Sequence, residues 1–116
     1  MFLLDDLLFE PGSADLNPDF SPLIQIGVNL LAVRPDSFFT ITGHTDNVGS
    51  EDDNLALSQA RVDTVKDAYI ELGADADRID VVARGESEPV ADNDTEEGRA
   101  LNRRVDLVIS STVGDG

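Results

Sequence analysis

Thr40-Ile41-Thr42-Gly43-His44-Thr45-Asp46-Asn47-Val48-Gly49 decides how the chain reads. It opens as a strand of β-branched residues and breaks at Gly43. His44 and Asp46 then fall in a loop that Gly49 turns toward a long helix. In α/β proteins a strand end, a glycine-punctuated loop and a helix start commonly carry recognition groups. Arg61 stands fifteen residues beyond Asp46, on that helix. One anion and one cation can therefore flank the same small site.

Working outward, the strand begins at Ser37, and Phe38, Phe39 and Ile41 alternate with threonines. Before it, Asn17 or Asp19 can cap a helix running to about Val33, with Pro18 in its first turn. Leu23, Ile24, Ile26, Leu30 and Leu31 form its apolar stripe, Pro22 delays its regular part, and Arg34-Pro35-Asp36 ends it. Further upstream, Leu7-Leu8-Phe9 reads as a short strand closed by Glu10-Pro11-Gly12. On the other side, Glu51-Asp52-Asp53 places acids at the positive end of a helix dipole. That helix runs to about Leu72 and stops at Gly73. Leu55, Val62, Val65, Tyr69 and Leu72 mark its expected buried face; Ser58 interrupts this face and Arg61 borders it.

A short turn is expected at Asp75–Asp77 and a third strand over Ile79–Arg84. The long polar segment Gly85–Gly98 follows, then a helical turn near Thr95–Arg99. A closing strand spans Asn102–Ile109, with Asn102 and Arg104 on one face and Arg103 on the other. The order is βαβαββ. Right-handed crossovers put both main helices on one face of a small mixed sheet, an α/β two-layer sandwich. The expectation is a single domain over residues 1–116, with an ordered core of about 3–109 and a flexible tail over 110–116.

Composition excludes several functions. The 24 acidic residues outweigh the 8 basic ones, for a net charge of −16. Such a field repels nucleic acid and anionic lipid. It reads as a solvated acidic surface, serving solubility or a salty medium. Cysteine is absent, which removes disulfides and thiolate sites. No apolar run reaches the roughly 18 residues of a membrane span. Met1-Phe2-Leu3-Leu4-Asp5-Asp6 lacks the basic start of a signal peptide, so an exported protein would hold this chain as an excised domain.

Three blocks then carry a resemblance. They are Thr42-Gly43-His44-Thr45-Asp46 with Gly49, Asn54, Leu57-Ser58 and Arg61; Leu8 to Leu16; and Gly98-Arg99-Ala100-Leu101-Asn102-Arg103-Arg104-Val105. Together they resemble the OmpA-like C-terminal domain family, which includes peptidoglycan-associated lipoproteins and the periplasmic part of flagellar stator proteins. Glu10 departs from the aspartate of many relatives but keeps its charge. The resemblance implies non-catalytic binding of the peptidoglycan stem peptide at a residue of the diaminopimelate type. The domain would thereby anchor a larger envelope protein to the wall, in the periplasm, tethered to the outer or inner membrane. Carried over, Asp46 would accept hydrogen bonds from the ligand ammonium, and Arg61 would hold its carboxylate. A homodimer is compatible with this reading. Membrane contact would come only through an anchor outside the chain.

Each residue also has a plainer reading. Asp46 can close an Asx-turn, and Arg61 can pair with an acid such as Asp53. His44 is the sole histidine, which excludes a histidine-pair metal site; its expected role is holding the loop. Thr45, Asn47, Asn54, Ser58 and Arg104 complete the candidates for shaping the pocket. Two rivals are weighed against binding. A hydrolase lacks a nucleophile–base–orienter set. A calcium-stabilised or purely structural interaction module could draw on Glu51-Asp52-Asp53 and Asp92-Asn93-Asp94-Thr95-Glu96, but neither has the spacing of a calcium loop. No metal or cofactor is expected.

Overall fold

The central strand takes its place from its own alternation. In the computed structural model, which describes residues 2–4, 8–10 and 12–111 (2–4 and 111 in backbone only), strand β2 spans Ser37–His44. Ser37, Phe39, Ile41 and Gly43 are buried on one face, while Phe38, Thr40 and Thr42 are half-buried on the other. β2 runs parallel to β3 (Ile79–Gly85) and antiparallel to β4 (Arg104–Ser111). The short strand β1 (Phe2–Leu4) pairs antiparallel with β4, giving the order β1-β4-β2-β3. The sheet is therefore mixed and four-stranded.

Helices α1 (Ser21–Val33) and α2 (Glu51–Glu71) bring Ile24, Val28, Leu31, Val62, Val65 and Tyr69 into one cluster with Phe39, Ile41, Ile79, Val105 and Leu107. Both helices thus cover the same sheet face, as the α/β two-layer reading expects. The approach of α2 to β2 is close. A Cβ on Gly43 would lie 2.8 Å from Val62 Cγ1 and 2.9 Å from the Ser58 carbonyl oxygen. The glycine that breaks the strand pattern is what lets the helix sit there.

Several boundaries differ from the sequence reading. Leu7 of the expected first strand lies outside the described residues. Leu8 and Phe9 are buried, and Phe9 makes an isolated antiparallel bridge with Leu16. Asn17 caps a 3₁₀ turn, Pro18–Phe20, by accepting from the Asp19 N–H. The α-helix starts only at Ser21, because Pro22 has no N–H to continue the ladder from that turn. On α1 the buried positions are Ile24, Gly27, Val28 and Leu31, whereas Ile26 and Leu30 are exposed. Gly27 lies against the Tyr69 ring, and that contact rotates the helix.

On α2 the expected buried Leu55 and Leu72 are exposed, and the inward face carries Asn54, Ser58 and Arg61 instead. Here helix backbone meets strand backbone: a Cβ on Gly85 would stand 3.2 Å from the Leu55 N and Cα. The closing block also divides differently. Glu96–Asn102 is a helix, α3, and the strand runs from Arg104 through Ser111, past the expected start of the tail at Ser110. Residues 112–116 lie outside the described residues. Arg78 ties the far end together by donating to the carbonyls of Leu31 (2.7 Å), Arg34 (2.6 Å) and Ser37 (2.9 Å). Arg78 thus adds a second donor to the Leu31 and Arg34 carbonyls, which already accept the Arg34 and Ser37 N–H groups, and links the end of α1 to the start of β2.

Candidate functional site

The loop after β2 reaches the side of α2 through a short series of hydrogen bonds. The Thr45 N–H donates to the Gly85 carbonyl (2.8 Å), so the parallel pairing continues one step past the strand. The Gly85 N–H in turn donates to Ser58 Oγ at 3.1 Å. Asn54, early in α2, donates its Nδ2 to the carbonyls of Asp46 (3.3 Å) and Val48 (3.0 Å). Asp46 Oδ1 accepts from the Val48 N–H at 3.1 Å, and Thr45 Oγ1 donates to the Asp46 carbonyl at 2.8 Å. The Asx-turn foreseen as the plain reading of Asp46 is therefore present. It uses one carboxylate oxygen and leaves the other aimed into a cleft.

That cleft has a volume of about 640 Å³ and draws on four parts of the chain. Phe9, Glu10 and Gly12 come from the N-terminal segment, and Thr45, Asp46 and Val48 from the loop. Asn54, Leu57 and Arg61 come from α2, and Glu96 and Arg103 from α3 and its end. Asp46 and Arg61 are both buried in this wall. Arg61 Nε donates to the Ser13 carbonyl at 3.0 Å, and its guanidinium lies over the Phe9 ring, 5.0 Å from the centroid. Both of these contacts on the arginine come from the N-terminal segment.

Arg103 is the residue that the sequence reading left out of the site. Its Nη1 donates to Asp46 Oδ2 at 2.7 Å and its Nη2 to Glu96 Oε1 at 2.8 Å. The contact with Arg103, and then that with Arg99, holds the Glu96 carboxyl below its ordinary pKa. The signal that could have found Arg103 was its strand-face assignment opposite Arg104. What hid it is the end of α3, where the Arg103 N–H still donates to the Arg99 carbonyl and the chain has not yet become a strand.

Arg104, offered as a pocket residue, points elsewhere. It is buried and donates to Asp106 Oδ1 (3.2 Å) and to the carbonyls of Asn102 and Glu88 (3.4 and 3.3 Å). His44 joins it from the same sheet face, with Nε2 3.1 Å from Asp106 Oδ2. Neither residue lines the cleft, and nor do Asn47 and Ser58. Of the shaping candidates, Thr45 and Asn54 are in its wall.

His44 has no more than 3% of its surface exposed, and its Nδ1 has no hydrogen-bond partner among the described residues. Burial, followed by the nearby Arg104 charge, pushes its pKa below 6.5. The neutral ring with the proton on Nε2, donated to Asp106, fits this environment. The unfolded chain then binds the extra proton first as pH falls. His44 thus contributes stability that is complete above about pH 6.5 and is lost progressively below it. Urea midpoints at about pH 7.5 and about pH 5.5 check this. The wild type should lose more stability between the two than His44→Gln, and parallel losses would refute the assignment.

No helix among the described residues is long and apolar enough to cross a membrane, and no group of three or more of their His, Asp and Glu side chains is placed to hold a metal ion. Comparison with known proteins matches the OmpA family over residues 8–103. The chain is 37% identical over 106 residues to a probable lipoprotein, YiaD, of Escherichia coli, covering 91% of this chain and 48% of that one. It is 40% identical over 99 residues to the peptidoglycan-binding protein ArfA of Mycobacterium tuberculosis, covering 85% of this chain and 30% of that protein. Among solved structures, the peptidoglycan-associated lipoprotein of Burkholderia pseudomallei superposes with a TM-score of 0.82 at 33% identity, covering 90% of this chain and 88% of that one. The chain thus spans less than half the length of these two curated relatives. Its relatives include envelope lipoproteins and outer membrane porins. By the extent of the family match and by these identities, the chain belongs to the OmpA family.

Proposed function

We propose that the cleft binds the peptide stem of peptidoglycan at a residue of the diaminopimelate type, and that the domain so anchors a larger envelope protein to the cell wall. The observation that carries this reading is the burial of Asp46 and Arg61 in the wall of one cleft, although they come from a loop and from the third turn of a helix. The free end of a diaminopimelate side chain is a zwitterion. It calls for one fixed anion and one fixed cation within a few ångströms, and a planar guanidinium suits its carboxylate better than an ammonium would. The contact is local, so a net charge of −16 does not forbid an acidic polymer: screening limits the field to about 8–10 Å. The printed names of the mycobacterial and Burkholderia relatives, one peptidoglycan-binding and one peptidoglycan-associated, support the same ligand class.

The test is cosedimentation with purified sacculi at moderate salt. Wild type should pellet, while Asp46→Asn should lose roughly 30-fold or more in affinity, the loss typical of a charge-assisted pair. The asparagine keeps an oxygen for the Val48 N–H, so the loop survives while the charge goes. Equal binding by Asp46→Asn would remove Asp46 from the site. Absence of binding by the wild type would remove the function.

A further inference from the structure

We propose that two copies of this chain pair through the outer edge of β4 and the uncharged face of α1 beside it. Strand β2 accompanies β4 along its whole length, from Arg104 to Ser111, whereas β1 pairs with it only over Arg104–Asp106. Beyond Leu107, the edge of β4 that faces away from β2 has no strand beside it among the described residues. An open edge is a template for another strand, and proteins usually block one with a charge, a proline or a bulge. Val108, Ile109 and Ser110 supply none of these.

Beside this edge lies a groove of about 610 Å³ between α1 and β4. Leu23, Ile26 and Leu30 form one bank, and Leu107, Val108 and Ile109 the other. Ile26 and Val108 keep 54% and 52% of their surface exposed, and Leu30 and Ile109 are exposed as well. No residue lining the groove is charged, and neither is any residue of α1, in a chain of which 28% is charged. The groove shares no lining residue with the cleft, so pairing leaves both clefts open.

Charge selects the occupant. Two bodies of net charge −16 repel wherever their acidic faces meet. This face puts no acid into the contact, so a second copy can approach it closely. A basic partner would find no acid here to hold it and would be drawn to the other faces instead. The contact is also self-complementary. An antiparallel pairing of Val108–Ser110 with the same residues of the second copy, about a twofold axis, continues the sheet and sets the Ile26 and Leu30 side chains of the two α1 helices opposite each other. The exposed apolar area is on the order of a few hundred Å² per copy, at the small end of what holds a specific complex. The pair is therefore weak and depends on concentration.

Analytical ultracentrifugation of the chain from about 10 to about 500 µM, at about 0.05 and about 0.5 M NaCl, tests this. The mean mass should climb toward that of two chains as concentration rises. Pairing should tighten roughly tenfold at the higher salt, because screening removes the repulsion and leaves the apolar contact. Ile26→Asp, which sets like charges in that contact, and Val108→Lys, which guards the edge, should each weaken pairing by about tenfold or more. Amide exchange at Val108–Ser110 should slow with concentration in the wild type, a readout that needs no variant. The mass of one chain under every condition would overturn the proposal and leave the groove to an extended segment of another protein. Pairing that both variants keep undiminished, with exchange at Val108–Ser110 unchanged, would put the contact elsewhere and overturn it too. So would pairing that weakens as salt rises, the mark of a contact driven by charge.

Discussion

Arg61→Ala is expected to lower affinity for sacculi by about 100-fold and to destabilise the domain by about 1–3 kcal/mol. The two effects have separate causes. Binding falls because the cleft loses the guanidinium proposed to hold the ligand carboxylate through two parallel hydrogen bonds. Stability falls because the same side chain, only 4% exposed, donates to the Ser13 carbonyl and lies over the Phe9 ring. Arg61→Lys separates them: it keeps a cation near the cleft but cannot reproduce the Nε bond or the guanidinium's contact over the Phe9 ring. It should retain part of the binding and still melt below the wild type. Calorimetric melts beside sacculus binding would check this. An alanine variant that melts like the wild type would show the Ser13 and Phe9 contacts to be idle, and one that binds like it would take Arg61 out of the site.

Asn102→Ala should produce the largest loss of stability, about 3–5 kcal/mol and more than about 10 °C in Tm. Asn102 is fully buried at the end of α3. Its Oδ1 accepts from the N–H groups of Val90 (2.7 Å) and Ala91 (2.9 Å). Its Nδ2 donates to the Ala91 carbonyl (3.0 Å) and to Asn93 Oδ1 (2.8 Å). Alanine would remove all four contacts, leave two backbone donors with nothing in their place, and open a void. The damage should reach the cleft, since α3 carries Glu96 and leads into Arg103. Loop and helix also touch backbone to backbone, because a Cβ on Gly98 would overlap the Asp92 carbonyl oxygen. Hydrogen exchange at the Val90 and Ala91 amides should accelerate first. A Tm within about 3 °C of the wild type would show that the loop does not depend on this side chain.

Much of this architecture is readable in residue order because it depends on local chemistry. Strand β2 announces itself through Phe38, Phe39, Ile41 and their threonines, and the end of α2 through Gly73, which adopts φ +106° beyond the last turn. The faces of the helices were less legible. Periodicity locates a stripe, but its rotation follows from what the helix meets. On α1 that is the Tyr69 ring against Gly27, and on α2 it is the Gly85 backbone against Leu55. Polar Asn54 and Ser58 therefore turn inward to satisfy the loop and the Gly85 N–H, while Leu55 turns out.

The sequence by itself determined the class of fold, the order of its elements, and the candidacy of Asp46 and Arg61, because strand alternation, helix caps and glycine breaks act over a few residues. Only the tertiary structure decided that these two share a cleft. Along the helix axis Arg61 lies about 13 Å beyond the acidic start of α2; the Asn54 bonds to Asp46 and Val48 hold the loop against the first turn of that helix, and the cleft spans the rest. The tertiary structure also exchanged the two neighbouring arginines, bringing Arg103 onto Asp46 and sending Arg104 to Asp106. Residue types could not settle that choice, since it turns on where α3 ends and β4 begins, and that boundary is set by the burial of Asn102 beneath the loop it holds.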